Sequence, residues 1–151
     1  MKSSEAFKSL RLLFSRTTSW LILIDPVMPM ARVSEPLSEM GVSVQTQDGH
    51  APVRMHGNPK LKAIKYALPM PSAQLKSAVL LAGLYAHGET VVTESLATRN
   101  HTENLFERFG YPIQVEDNTV RLTGLGELKA CDIEVPGDIS SAAFFMVAAT
   151  V

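Results

Sequence analysis

The sequence predicts an α/β (α+β) fold made of repeated βαβαββ units, one complete and one partial. Three observations support this prediction. Two blocks of the chain share one pattern of helix, glycine, strand, tight turn and strand. An apolar helix and a β-branched run lie between the blocks. The 151 residues are 46% apolar, which is enough for a single core, and alternating helices and strands favour layered α/β packing.

Glycines and turn residues define the repeat. Gly41 and Gly110 recur at the same spacing as Asp48 and Asp117. Each glycine predicts the end of an amphipathic helix, and each aspartate predicts a tight turn between two strands. We therefore expect a helix followed by a hairpin in both blocks. The blocks cover residues 32–57 and 101–124.

The elements between the blocks complete the second unit. Residues 63–68 and 90–93 are predicted strands, because they are rich in apolar and β-branched side chains. Residues 72–87 predict a helix that carries no charge after Lys76, so most of its surface is expected to be buried. The first unit is incomplete, because residues 1–27 repeat no part of the second.

Composition excludes several classes of function. The formal net charge is −1 and the basic residues are scattered, which argues against a nucleic-acid-binding surface. Cys131 is the only cysteine, so the sequence predicts no disulfide, no zinc site and a reducing compartment. The apolar run at residues 20–24 is too short for a membrane span or a signal peptide. We expect a cytoplasmic protein.

The start of the predicted helix at residues 72–87 has the chemistry of an anion site. Pro71 disfavours helix before Ser72, and Ser72 is a good N-cap. The first-turn amides of Ala73 and Gln74 then point outward without intrahelical acceptors, which is the geometry that binds phosphate groups. An ordinary capped core helix is the simpler interpretation of this segment taken alone.

Three segments of the chain occur together in a specific order. They read LPMPSAQLKS at residues 68–77, TRNHTE at 98–103 and VPGDISSAAFF at 135–145. In motif, order and spacing they resemble the bacterial EPSP synthases, or 3-phosphoshikimate 1-carboxyvinyltransferases. The resemblance covers about residues 28–151 and implies βαβαββ units of the enolpyruvyl transferase fold, three in each of two domains.

The resemblance also implies a division of the chain. Residues 28–134 would be part of the second and all of the third unit of the shikimate-3-phosphate-binding domain. Residues 135–151 would be the crossover and the first helix of the other domain. Residues 1–27 have no clear match to the family.

The resemblance implies an enzyme of the shikimate pathway to chorismate. It would transfer the enolpyruvyl group of phosphoenolpyruvate to shikimate 3-phosphate without a metal or organic cofactor. By position, Ser72, Ala73 and Gln74 match the family's shikimate 3-phosphate motif, Arg99 lies near the substrate phosphate, and Thr98 adds a hydroxyl. Hydroxyl, amide and guanidinium donors suit a phosphate. For Arg99 alone, an exposed loop arginine is the alternative.

Departures from the family pattern bear on activity. The family has an arginine in a G-D-x-S-L-x-x-R-P-M segment that residues 24–30 lack. The resemblance places the acid/base residues outside this chain, so no catalytic residue is expected within it. Three hypotheses follow: an EPSP synthase whose isolated chain is inactive, a non-catalytic module that only binds shikimate 3-phosphate, and a relative acting on a UDP-sugar. The PSAQ and TRNHTE motifs disfavour the third.

The remaining charged residues near these motifs are expected mainly to have structural roles. Lys76 either helps to neutralise a bound anion or is simply exposed. His101 is expected to cap or pack at a helix start rather than to act as an acid or base. Arg54 and Arg121 recur in the repeat and so belong to its strand pattern. We also expect self-association through an exposed apolar face or sheet edge, including exchange of a helix at residues 140–151.

Overall fold

The chain folds into two β-sheets with helices packed against them. The computed structural model describes residues 19–22, 30–135, 137, 142 and 146. Most of the predicted crossover and helix over residues 135–151, and most of residues 1–27, lie outside this described part. The elements in chain order are β1 (Ser19–Ile22), α1 (Ala31–Glu39), β2 (Ser43–Gln47), β3 (His50–His56), β4 (Lys65–Ala67), α2 (Ala73–Gly83), β5 (Glu89–Thr93), α3 (His101–Arg108), β6 (Ile113–Glu116) and β7 (Thr119–Thr123).

The second unit has the predicted βαβαββ order. Its four strands are arranged β4-β5-β7-β6. β4 pairs with β5 in parallel, with Tyr66 opposite Val92, and the other pairings are antiparallel. The parallel pair requires the crossover that α2 supplies. Arg121 lies on β7, as the strand pattern predicts.

The first unit forms a three-stranded antiparallel sheet in the order β1-β3-β2. α1 and the β2–β3 hairpin confirm the helix and hairpin predicted for this block, and Arg54 lies on β3. Residues 1–27 show no sequence repeat of the second unit, yet β1 occupies in the first sheet the position that β5 occupies in the second. β1 pairs antiparallel with β3, just as β5 pairs antiparallel with β7. Backbone pairing alone defines this match, which is why the sequence pattern does not show it.

Two helices end in the same way, as their glycines predict. At the end of α1 the amide of Gly41 donates to Ser38 and that of Val42 donates to Leu37. These are the two hydrogen bonds of a Schellman motif, with Gly41 at φ 96°. α3 ends with the equivalent pair of bonds, and Gly110 has φ 65°. Each glycine adopts a backbone conformation that other residues rarely reach.

The helix α2 is shorter than predicted, ending at Gly83 instead of residue 87. The chain leaves the helix here because the β7 end packs against it. The amide of Leu125 donates to the Leu84 carbonyl at 2.8 Å. A Cβ on Gly124 would lie 2.0 Å from the Ala86 carbonyl oxygen, so only glycine allows this close approach.

The main core lies between α2, α3 and the inner face of the second sheet. Within α2 only Gln74 and Leu81 are exposed, which confirms the expected burial of most of its surface. Tyr111 packs on Phe106 and donates a 2.6 Å hydrogen bond from its hydroxyl to the Thr123 carbonyl. The buried core residues are Leu68, Leu75, Val79, Leu80, Leu84, Val92, Phe106, Tyr111, Val120 and Leu122.

Two neighbouring leucines of α2 provide a matched test of this core. Leu80 is fully buried, whereas Leu81 is 50% exposed. Leu80→Ala removes packing on all sides and should lower the free energy of unfolding by about 2–5 kcal/mol. Leu81→Ala changes the same helix with a loss below about 1 kcal/mol. Urea denaturation followed by circular dichroism measures both, and equal losses would contradict this packing.

Candidate functional site

The predicted anion-binding segments follow two neighbouring parallel strands. β4 leads into the segment that starts α2, and β5 leads into the loop that carries Thr98 and Arg99. The pairing continues past β4, because the Leu68 amide donates to the Thr93 carbonyl at 2.9 Å. The carboxyl ends of parallel strands lie at the same edge of a sheet, where ligands commonly bind in α/β folds. The fold therefore brings the two segments to one edge.

Ser72 is the N-cap of α2, as predicted. It has extended backbone angles, and its Oγ accepts a 3.3 Å hydrogen bond from the Leu75 amide. The amides of Ala73 and Gln74 have no acceptor among the residues that the structure describes. Because the Ser72 hydroxyl serves as an acceptor in the cap, its own hydrogen is free to donate outward. This helix start presents one hydroxyl and two amide donors.

Two further predicted site residues are accessible at the same edge. Gln74 is exposed on the first turn of α2, and Arg99 is exposed in the loop after β5. No ion pair involves Arg99 within the described part of the chain. An exposed amide and an exposed guanidinium beside a helix start favour binding of an anion that also carries hydroxyl groups.

Lys76 differs from both interpretations given for it above. It is neither exposed nor directed at an anion site, because only 2% of the residue is accessible. Its Nζ lies 3.0 Å from Glu94 Oε2 and 2.7 Å from Glu103 Oε1, and both carboxylates are buried as well. A buried ammonium group requires such partners, since leaving water unpaired costs several kcal/mol. Burial lowers the pKa of Lys76, but the hydrogen bonds to Glu103 and Glu94 outweigh it and raise the pKa.

Glu94 joins Lys76 to the Thr98 loop. Its Oε1 accepts a short hydrogen bond from Thr98 Oγ1, and its Oε2 accepts a 3.4 Å hydrogen bond from the Thr98 amide. Burial raises the pKa of Glu94, but the bonds from Thr98 and Lys76 outweigh it, so the net shift is downward. The Thr98 hydroxyl therefore donates its hydrogen to Glu94, and towards any other group its oxygen can only accept a hydrogen bond.

The helix α3 is held close to α2 at the same end. Ser77 Oγ and Thr102 Oγ1 lie 2.6 Å apart and share a hydrogen bond. His101, the first residue of α3, is exposed and follows the N-cap Asn100, so the expectation that it caps or packs there is wrong. The packed side chains of this first turn are those of Thr102 and Glu103, which contact α2, and His101 lies outside that contact. Asp138 and Ser140, which the sequence offers as caps of a further helix, lie outside the described residues.

Sequence reasoning missed Glu94 and Glu103 as the partners of Lys76. A signal was present: Lys76 is the only charged residue of a helix predicted to be buried, so it needed a buried acidic partner. Glu94 directly follows a β-branched strand, which makes it the natural candidate. The described residues contain no group of His, Cys, Asp or Glu side chains arranged to hold a metal ion. Nor does any helix among them have the length and apolarity needed to cross a bilayer.

The sequence is similar to known proteins over most of its length. A sequence profile described as EPSP synthase (3-phosphoshikimate 1-carboxyvinyltransferase) matches residues 27–151. The chain is 49% identical over 123 residues to the 3-phosphoshikimate 1-carboxyvinyltransferase of Legionella pneumophila strain Lens, covering 82% of this chain and 28% of that protein. The Coxiella burnetii protein of the same name, from strain RSA 331, is 50% identical over the same coverage. The chain thus spans about 28% of the length of these curated relatives.

The fold is similar to solved structures as well. EPSP synthase from Acinetobacter baumannii superimposes with a TM-score of 0.78 at 47% identity, covering 93% of this chain and 34% of that one. The enolpyruvyl transferase NikO from Streptomyces tendae has a TM-score of 0.52 at 22% identity and covers 63% of this chain and 22% of that one, which shows a shared fold only. By its profile match and its identity to named relatives, the chain belongs to the EPSP synthase family.

Proposed function

We propose that this chain provides the shikimate-3-phosphate-binding part of a 3-phosphoshikimate 1-carboxyvinyltransferase. The reaction transfers the enolpyruvyl group of phosphoenolpyruvate to shikimate 3-phosphate. One observation carries the proposal: the Ser72 helix start and the Arg99 loop follow adjacent parallel strands at one sheet edge. Family membership and the substrate-binding motif it implies support the same assignment.

In this proposal the donors of the helix start hold the substrate. The Ser72 hydroxyl and the amides of Ala73 and Gln74 face an anion without competing partners among the described residues. Arg99 adds a charged donor pair suited to phosphate. Gln74 both donates and accepts, which suits the hydroxyls of a cyclohexene ring. Thr98 is limited to accepting a hydrogen bond from the substrate, because its hydrogen is donated to Glu94.

The isolated chain is proposed to bind its substrate without turning it over. General acid–base catalysis requires a titratable group positioned at the reacting atoms. Within the described site Lys76 is buried and pairs with the buried side chains of Glu94 and Glu103, and His101 is exposed at a helix start. This observation favours the second candidate function, a module that only binds shikimate 3-phosphate. A cytoplasmic location and the absence of a cofactor are also part of the proposal.

Calorimetric titration with shikimate 3-phosphate tests the binding site. Wild-type chain should bind, and a Gln74→Ala, Arg99→Ala variant should lose at least about tenfold in affinity, since one hydrogen bond to a charged group is worth about 1.5–3 kcal/mol. A Gln114→Ala, Arg54→Ala variant removes the same residue types from exposed positions on β6 and β3 and should bind like wild type. Shikimate without the phosphate should bind more weakly than shikimate 3-phosphate.

Equal affinity of the two double variants would refute the assigned residues. No binding by folded wild-type chain would refute the proposed site itself. Complementation of a strain that lacks EPSP synthase then separates the two candidate functions, because only an active enzyme restores growth without added aromatic amino acids.

We further propose that the chain self-associates. Large apolar side chains are exposed on both the helices and the sheet, with Leu81 50%, Leu105 41% and Val115 51% accessible. β4 and β6 are the outer strands of their sheet and leave backbone groups unpaired. Light scattering coupled to size exclusion should give a mass above the 16.5 kDa of one chain, rising with concentration. A constant 16.5 kDa at high concentration would contradict this proposal.

A further inference from the structure

The two halves of the proposed site are connected by side chains that do not face the substrate. We propose that Lys76 and Glu94 are positioning residues, which set the distance between the start of α2 and the Thr98–Arg99 loop when shikimate 3-phosphate binds. This inference rests on the proposed function. The observation behind it is a continuous chain of polar contacts from the first turn of α2 to the loop after β5, buried between Lys76 and Glu94 and part-buried between Glu94 and Thr98.

Glu94 is firmly held on the sheet. It follows β5, which lies between β4 and β7, and its own amide donates to the Asn118 carbonyl at 2.8 Å. Both carboxylate oxygens bind Thr98, one through the main chain and one through the hydroxyl. Two hydrogen bonds to one carboxylate define both the position and the orientation of Thr98. Because Arg99 is the next residue in the chain, Glu94 thereby fixes where the Arg99 side chain leaves the backbone.

Lys76 connects this anchor to the helix start. Its amide donates to the Ser72 carbonyl at 3.0 Å, and its Nζ reaches Glu94 at 3.0 Å. Gln74 lies two residues earlier on the same helical turn. A shift of the first turn would lengthen an ion pair that has no access to water, which is costly in a buried environment. The lowered pKa of Glu94 is consistent with a carboxylate that is ionised at neutral pH.

Glu103 provides a contrast within the same cluster. It pairs with Lys76 at 2.7 Å but makes no hydrogen bond to Thr98. Its Oε2 is buried with no hydrogen-bond partner in the described structure. Replacing Glu103 with glutamine therefore removes one carboxylate beside Lys76 and leaves both hydrogen bonds from Thr98 to Glu94 in place.

The inference predicts different effects for the two glutamates. Glu94→Gln should weaken binding of shikimate 3-phosphate by about tenfold, because it loosens the Thr98 loop and its pairing with Lys76. Glu103→Gln should change affinity by less than about threefold, because the glutamine carbonyl can still accept from Lys76 and the Glu94–Thr98 hydrogen bonds are unchanged. Glu94→Asp retains the charge but is too short to hold Lys76 and Thr98 together, so it should weaken binding while preserving the fold. Equal losses for Glu94→Gln and Glu103→Gln would overturn the inference.

A ligand-free measurement separates this inference from the proposed function. In amide hydrogen exchange and ¹H–¹⁵N spectra at pH 7, Glu94→Gln and Glu94→Asp should change the Thr98 and Arg99 amides and leave the Val92 and Val120 core amides unchanged. Glu103→Gln should leave the Thr98 amide as in wild type. If wild type fails to bind shikimate 3-phosphate while these changes appear, the proposed function fails and the loop anchor holds. An unchanged Thr98 amide in both Glu94 variants overturns the anchor, whatever the wild type binds.

Discussion

The structure of the site depends on the burial of one ammonium group. Lys76 lies in the first turn of an apolar helix and is withdrawn from water, so the folded state requires carboxylates within hydrogen-bonding distance. One carboxylate comes from the end of β5 and the other from the first turn of α3. Satisfying this charge therefore brings three separate segments together at one sheet edge. The apolar core buries the rest of α2, and the pairing of Lys76 determines how the first turn of α2 contacts the loop after β5 and the start of α3.

The repeated architecture places this edge. In each unit a helix ends at a glycine and a β-hairpin follows. The second strand of that hairpin pairs with a strand that precedes the helix. In the second unit that upstream strand is also paired in parallel with β4. This additional pairing creates two adjacent carboxyl ends, and the PSAQ and TRNHTE segments follow them. The described part of the first unit has no such parallel pair.

Features that depend on local chemistry were predictable from the sequence. The Ser72 cap, the two glycine helix ends and the hairpins all follow from residues close together in the chain. The environment of Lys76 was not predictable in this way, because the side of a helix that faces its partners depends on elements distant in sequence. The role of Glu94 was hidden for the same reason, since its partners Lys76 and Thr98 meet only in the fold. The assignment of Gln74 and Arg99 to a binding site comes from the family resemblance, because an exposed amide or guanidinium has no sequence signature of its own.

The strand β1 illustrates how little side-chain information a sheet position requires. It occupies beside β3 the place that β5 occupies beside β7, although the two segments share no sequence pattern. Main-chain amides and carbonyls, which every residue except proline supplies in full, define this pairing. Such a position is open to replacement during evolution: a segment of foreign origin that adopts an extended conformation completes the sheet as well as an inherited one. In this chain, therefore, the missing sequence repeat at residues 19–22 gives no sign that the strand position beside β3 is filled.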